Sequence, residues 1–352
     1  MLLTLADFEA AAVDILGPSG AAFVSGAAGE GRTRDANAAA FDAIRLLPKV
    51  LVDVSHRSTK TSVLGHEIDL PVILAPTAMH RISHADGERA TARAAAAAGT
   101  ILVLSLGSSL PVEEVMAAAS GPVWFQAYVG KDRVRTAEVL HRAQAAGCSG
   151  LVVTVDAPVV GGRIAERRHG FEVRPEWFAA GHEPFYGLTP PAAAGAGATE
   201  LWDPSLTWDD VGWLRGLTDL PLMLKGIVRA DDAARAAAEG AEAVIVSNHG
   251  GRQLDSVIPS MEALPEVRDA VGGATTVMVD GGVRRGGDVF KALALGADVV
   301  LVGRPVMWGL AVGGASGVEQ VLRHLAEELE LTMALCGART VEEITPDLIR
   351  PS

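Results

Sequence analysis

The chain has 352 residues, 49% hydrophobic and 21% charged, which supplies a large buried core and excludes a disordered chain. A net charge of −13 sets up a field that repels nucleic acid and anionic membranes, so small molecules are the expected ligands. No stretch approaches the roughly 20 apolar residues of a membrane span. No signal peptide or targeting tripeptide is recognisable, and Cys148 and Cys336 suggest neither disulfide framework nor thiolate metal site, which fits a cytoplasmic protein.

The N-terminal segment MLLTLADFEAAA reads as a capped amphipathic helix with Asp7 and Glu9 near its start, and residues 1–50 are expected to form a helical extension. Eight aliphatic runs then follow: Val72–Ala75, Ile101–Leu104, Val123–Ala127, Leu151–Val155, Leu222–Leu224, Ala243–Val246, Thr276–Val279 and Val299–Val302. They are continuous rather than alternating, as suits parallel strands buried on both faces. Ala-rich helical stretches lie between them, among them Gly87–Ala98, Arg133–Ala146, Ala230–Glu239 and Gly287–Leu295. Each is closed by a glycine (Gly99, Gly147, Gly240, Gly296), the residue that ends a helix most easily in the left-handed conformation. Eight such units predict a single-domain α/β fold, a (β/α)8 TIM barrel, rather than a doubly wound sheet. An insertion from about Gly170 to Asp210 separates the fourth and fifth strands. It holds Trp177, Phe178, Phe185, Tyr186, Pro190, Pro191 and the low-complexity run 192–198. A loop of that length is expected to be a mobile lid over the barrel mouth.

Polar residues end almost every strand: Thr77, Ser105, Gln126 with Tyr128, Thr154 with Asp156, Lys225, Ser247 with His249, Asp280 and Arg304. Residues that merely solvated a rim would be interchangeable Asp, Ser, Asn and Gly, not this mixture of cations, amide and phenol. The segment Ser247-Asn248-His249-Gly250-Gly251-Arg252 places a group that can move a proton three residues from one that can hold a carboxylate. After the seventh strand come Asp280-Gly281-Gly282-Val283-Arg284, and after the eighth Gly303-Arg304, where barrels of this type commonly bind phosphate. A phosphate-bearing cofactor is therefore expected, while no Walker or GxGxxG fingerprint follows the first strand. His80 and His84 have helical spacing but no third ligand, so no metal is expected and a role at the start of a helix is.

The motifs SNHGGRQLD, LAPTAM (Leu74–Met79), WFQAYV (Trp124–Val129), TVDAP (Thr154–Pro158), LKG (Leu224–Gly226), DGGVRRGGDVFKALALGA (Asp280–Ala297) and VGRP (Val302–Pro305) occur in that order. Together they resemble the FMN-dependent 2-hydroxy acid oxidase and dehydrogenase family, which includes glycolate-, lactate- and mandelate-oxidising enzymes. The resemblance runs from about residue 5 to 346 and supplies FMN as the cofactor.

It implies roles that the side-chain chemistry supports. His249 would be the base that takes a proton from the substrate, with Asp156 orienting it and stabilising its cation. Arg252 and Arg163 would hold the substrate carboxylate and Tyr128 a substrate oxygen. Lys225 would stabilise negative charge on the reduced flavin. Thr77, Ala78, Ser105, Gln126, Thr154 and Ser247 would line the flavin. Asp280 would reach its ribityl chain, and Gly281, Gly282, Arg284, Gly303 and Arg304 its phosphate.

Two departures from the family concern substrate size. The N-terminal tyrosine that many members direct at the substrate carboxylate is absent, its place falling at Ala22, beside Phe23, and Leu106-Gly107-Ser108 stands where glycolate oxidases carry a tryptophan. Loss of bulk at Ala22 and Gly107 predicts a bulky or aryl 2-hydroxy acid such as mandelate, with Tyr186 on the lid a candidate replacement donor. O2, reduced to H2O2, is the expected electron acceptor, and a homotetramer the expected assembly. Alternatives are a dehydrogenase using another acceptor, an oxidase of a hydroxy ester, amine or modified amino acid, an FMN-dependent isomerase, and a flavin-binding protein without catalysis.

Overall fold

The computed structural model describes residues 2–174, 177 and 202–351. Three short strands precede the barrel: β1 (Ile44–Leu46), β2 (Thr61–Val63) and β3 (His66–Ile68). The eight barrel strands follow as β4 (Val72–Leu74), β5 (Leu102–Ser105), β6 (Val123–Ala127), β7 (Leu151–Thr154), β8 (Leu222–Ile227), β9 (Ala243–Val246), β10 (Thr276–Asp280) and β11 (Val299–Val302). All pair in parallel, and β11 pairs with β4 to close the barrel. Every run singled out in the sequence is thus a barrel strand. The main difference is at β8, which continues past Leu224 to Ile227, with a register irregularity between Lys225 and Ile227 against β9.

Two apolar layers hold the barrel together. Ile73, Ile101, Trp124, Met223, Ile245, Met278 and Leu301 pack inside it. Val63 and Ile68 from the β2–β3 hairpin join this cluster and plug the barrel from below, so the interior is a filled core rather than a pore. The outward-facing residues of the strands pack under the surrounding helices. Gly99, Gly147, Gly240 and Gly296 all adopt positive φ where their helices end.

The N-terminal extension is helical only in part. Helix α1 (Leu5–Ser25) starts with a capping box in which the Thr4 side chain accepts from Asp7 N–H and Asp7 returns the bond, and it kinks at Gly17-Pro18. Helix α2 (Arg32–Asp42) follows, but β1 then pairs antiparallel with β12 (Ile349–Pro351), the last described strand, tying the two ends of the chain together. The far-apart β1 and β12 are each three residues long, too short to show a period in the sequence. Of the expected lid, residues 175, 176 and 178–201, with Tyr186 among them, lie outside the described residues.

Candidate active site

The loop after β9 carries the reactive imidazole in an unusual backbone. His249, Gly250 and Gly251 have φ of 59°, 61° and 74°, three successive left-handed residues. Glycine adopts this conformation readily and histidine at some cost, the kind of strain that persists where surrounding contacts over-determine it. Here they do. Asn248 Oδ1 accepts from Gly251 N–H at 3.2 Å, the Asn248 amide exchanges hydrogen bonds with Asn37 on α2, and Ser247 Oγ accepts from His249 N–H at 3.0 Å.

The imidazole Nδ1 lies 3.0 Å from Asp156 Oδ1 at the end of β7. An ionised carboxylate can only accept, so Nδ1 carries the proton and Nε2 is left as the basic nitrogen. Burial lowers the His249 pKa below 6.5 more than the Asp156 charge and hydrogen bond raise it, and Lys225 and Arg163 lower it further. Burial pushes the Asp156 carboxyl upward, but the charge that His249 carries when protonated, its hydrogen bond and Lys225 outweigh this and leave it below its ordinary value. The resting pair is thus a neutral imidazole on an ionised carboxylate.

Arg252 and Arg163 converge on the same side of the cleft. Arg252 donates to the carbonyls of Phe23 at 2.6 Å and Gly26 at 3.2 Å, and to Glu166 Oε1 at 3.2 Å. Arg163, at the start of α3 (Ile164–Arg168), donates to the same Glu166 oxygen at 3.5 Å. Burial first, then repulsion from Arg163, brings the Arg252 pKa down to about 10, with Glu166 opposing the shift. Tyr128 lines the same cleft, its ring stacked on Trp202 with centroids 4.2 Å apart. Burial raises its hydroxyl pKa, so the phenol stays protonated and can donate.

The floor is a row of hydrogen-bonded side chains crossing three strands: Ser105 donates to Gln126 Oε1, and Gln126 Nε2 donates to Thr154 Oγ1, both at 3.0 Å. Beside it Lys225 Nζ lies 2.7 Å from Ser247 Oγ and 2.8 Å from Asp280 Oδ2. At the far end, Gly281, Gly282 and Gly303 face the cleft with Arg284 and Arg304. The Arg284 guanidinium lies 4.8 Å over Trp308, and Arg304 donates to the carbonyls of Gly250 and Gly26. Burial and then repulsion from Arg252, Arg284 and Arg34 push the Arg304 pKa well down. An anion there would relieve that repulsion. Asp280 Oδ1 and Arg304 Nε are buried without partners among the described residues. Those orphaned atoms and the cationic glycine-lined end fit a ribityl chain and a phosphate.

The cleft brings Thr77, Ala78 and Gly107 together with these groups. Two expectations change. Ser247 is wholly buried and does not line the cleft; it lies beneath, bonding Lys225 and the His249 backbone. Ala22 is buried outside the cleft, whose wall there is made by Phe23 and Val24. Phe23 stacks on Phe171 and lies under the Arg252 guanidinium, so an aromatic ring without a hydroxyl stands at that wall. His80 and His84 do sit at helix starts: His80 opens a 3-10 turn and its N–H donates to Glu88, the first residue of the next helix, while His84 Nδ1 accepts from Asp86 N–H just before that helix, and the His80 ring bridges Thr77 Oγ1 at 2.6 Å and Thr91 Oγ1 at 3.0 Å. Glu166, Phe23, Trp202 and Asn37 are the site residues that sequence reasoning misses. Only Glu166 carried a local signal, an acid three residues beyond Arg163 on one helical face.

Residues 12–351 match the FMN-dependent dehydrogenase family. The chain belongs to that family. It is accordingly an FMN-dependent oxidoreductase. It is 49% identical to an L-lactate oxidase of Nostoc sp., covering 92% of this chain and 90% of that one. It is 45% identical to 2-hydroxyacid oxidase 2 of Mus musculus, covering 99% and 98%. A solved structure of mandelate oxidase with (S)-4-hydroxymandelic acid superposes with a TM-score of 0.94 at 40% identity, covering 99% of this chain and 98% of that one.

Proposed function

We propose that the protein oxidises a 2-hydroxy acid with a bulky or aryl side chain to the 2-oxo acid and passes the electrons to O2. The observation that carries this reading is the His249–Asp156 couple facing two convergent guanidinium groups within one cleft. Arg252 and Arg163 bind the substrate carboxylate through planar donor forks, and the protonated Tyr128 hydroxyl donates to the substrate oxygen. These contacts fix the 2-position beside His249. The Nε2 atom takes a proton from the substrate, and Asp156 stabilises the resulting imidazolium. FMN held in the cleft would supply the acceptor for the two electrons that leave the substrate. Asp280 and the glycines after β10 and β11 would hold its ribityl phosphate, with Arg284 and Arg304, and Lys225 would face its pyrimidine edge. In balance, the hydroxy acid gives up two electrons and two protons, and O2 takes both to become H2O2.

The aryl preference is supported by Phe23, Phe171 and Trp202, which line the cleft with aromatic rings, and by Gly107, which lines it without a side chain of its own. The likeness to mandelate oxidase points the same way. Anaerobic flavin bleaching against 2-hydroxy acids of graded size tests the substrate, and peroxide released per substrate consumed in air tests the acceptor. Preference for glycolate would sink the aryl assignment, and peroxide well below one equivalent would sink the acceptor.

A further inference from the structure

A third charged group stands in the carboxylate subsite. Glu166 has a side chain only 7% exposed, and both guanidinium groups converge on its Oε1, from 3.2 Å for Arg252 and 3.5 Å for Arg163. Its place in the first turn of α3 does not account for it. That helix is five residues long and takes no side-chain cap hydrogen bond at its start. A buried carboxylate is costly unless paired, and here its described partners are the two cations that also face the cleft.

The consequence is electrostatic. Two guanidinium cations and one carboxylate leave one net positive charge, enough for one incoming carboxylate. The neighbouring groups add no surplus once the flavin phosphate takes up the charges of Arg284 and Arg304: Lys225 is paired with Asp280 at 2.8 Å, and Asp156 brings a further negative charge beside the neutral His249. A second carboxylate on the substrate would meet Asp156 and Glu166 without a spare cation. Arg163 Nε, buried without a partner among the described residues, leaves that fork with donors for a single incoming anion.

We infer that Glu166 is a specificity-determining residue that holds the subsite at one net positive charge, selecting 2-hydroxy monocarboxylates over dicarboxylates. This rests on the reading that the two arginines hold the substrate carboxylate.

The test is equilibrium binding of phenylacetate and phenylmalonate to the FMN-loaded protein, followed by perturbation of the flavin absorbance. Neither ligand carries a hydroxyl to oxidise, so the readout is independent of turnover. Wild type should bind phenylacetate more tightly than phenylmalonate. Glu166→Gln keeps an acceptor for both arginines but removes the charge, and should shift the affinity ratio toward phenylmalonate by about tenfold. Glu166→Asp keeps the charge and should leave the ratio within about threefold of wild type on the same argument. If Glu166→Gln does not fold, Glu166→Met makes the same charge change without a buried amide. An unmoved ratio in the neutral variant, or an equal movement in Glu166→Asp, overturns the inference alone. A wild-type flavin that responds to neither acid overturns the hydroxy acid reading as well.

Discussion

The side-chain amides of Asn37 and Asn248 face each other and exchange two hydrogen bonds of 2.8 Å, joining α2 to the loop that carries His249. Both residues are buried, so the two bonds they exchange, which add to those with Gly251, Ile258 and Ser260, cannot be replaced by bulk water. Asn37→Ala leaves the Asn248 amide short of one donor and one acceptor, and should cost about 1–3 kcal/mol of stability. Denaturant unfolding measures that loss. Because Asn37 also packs against Gly281 and Gly282, the variant should release its flavin at lower denaturant than wild type. Flavin retained up to the wild-type midpoint would show that α2 does not support the site.

Asp156 contributes both geometry and charge to His249. In Asp156→Asn the charge that raises the imidazole pKa is gone, while burial, which lowers it, remains. The acid limb of kcat/KM should therefore move to lower pH, and kcat should fall by about 10²-fold or more, because the imidazolium formed on proton transfer loses its counter-ion. A fall in kcat with an unmoved acid limb would assign Asp156 an orienting role only.

The barrel was legible because parallel strands buried on both faces produce uninterrupted aliphatic runs, and because helix-closing glycines punctuate them. Residues just past those runs converge at one rim, so His249, Lys225, Asp280 and Tyr128 could be placed together before any coordinates. What stayed hidden depends on partners distant in sequence. Glu166 acquires its meaning from Arg252, 86 positions away, and Asn37 from Asn248, 211 positions away. Ala22 was assigned to the wall by alignment of a motif, yet the kinked α1 presents Phe23 there instead, and a helix rotation of one residue leaves no trace in composition.

The pH dependence of the wild type follows from the depressed His249 pKa. The imidazole is mostly neutral at pH 7, and protonation removes the base, so the acid limb of kcat/KM should have its midpoint below 6.5. The same group contributes to stability. Its unfolded form binds a proton more readily than the folded one, so the contribution is complete above about 6.5 and lost as pH falls through the lower folded value. His249→Gln should abolish most activity and flatten this part of the stability profile. An acid limb in kcat/KM above 6.5 would contradict the burial argument.

Lys225 and Asp280 form a buried pair at 2.8 Å, with side chains 5% and 10% exposed. Lys225→Met strands the Asp280 charge without its partner, and Asp280 Oδ1 already has none, so the variant should lose about 3–5 kcal/mol. The double variant Lys225→Met with Asp280→Asn removes the stranded charge and should regain a large part of that stability. It should not regain flavin affinity, because both groups face the cofactor cleft. Unfolding curves for the apo forms separate the two effects: if the double variant is no more stable than Lys225→Met, the cost lies in lost packing by the lysine stem rather than in an uncompensated carboxylate.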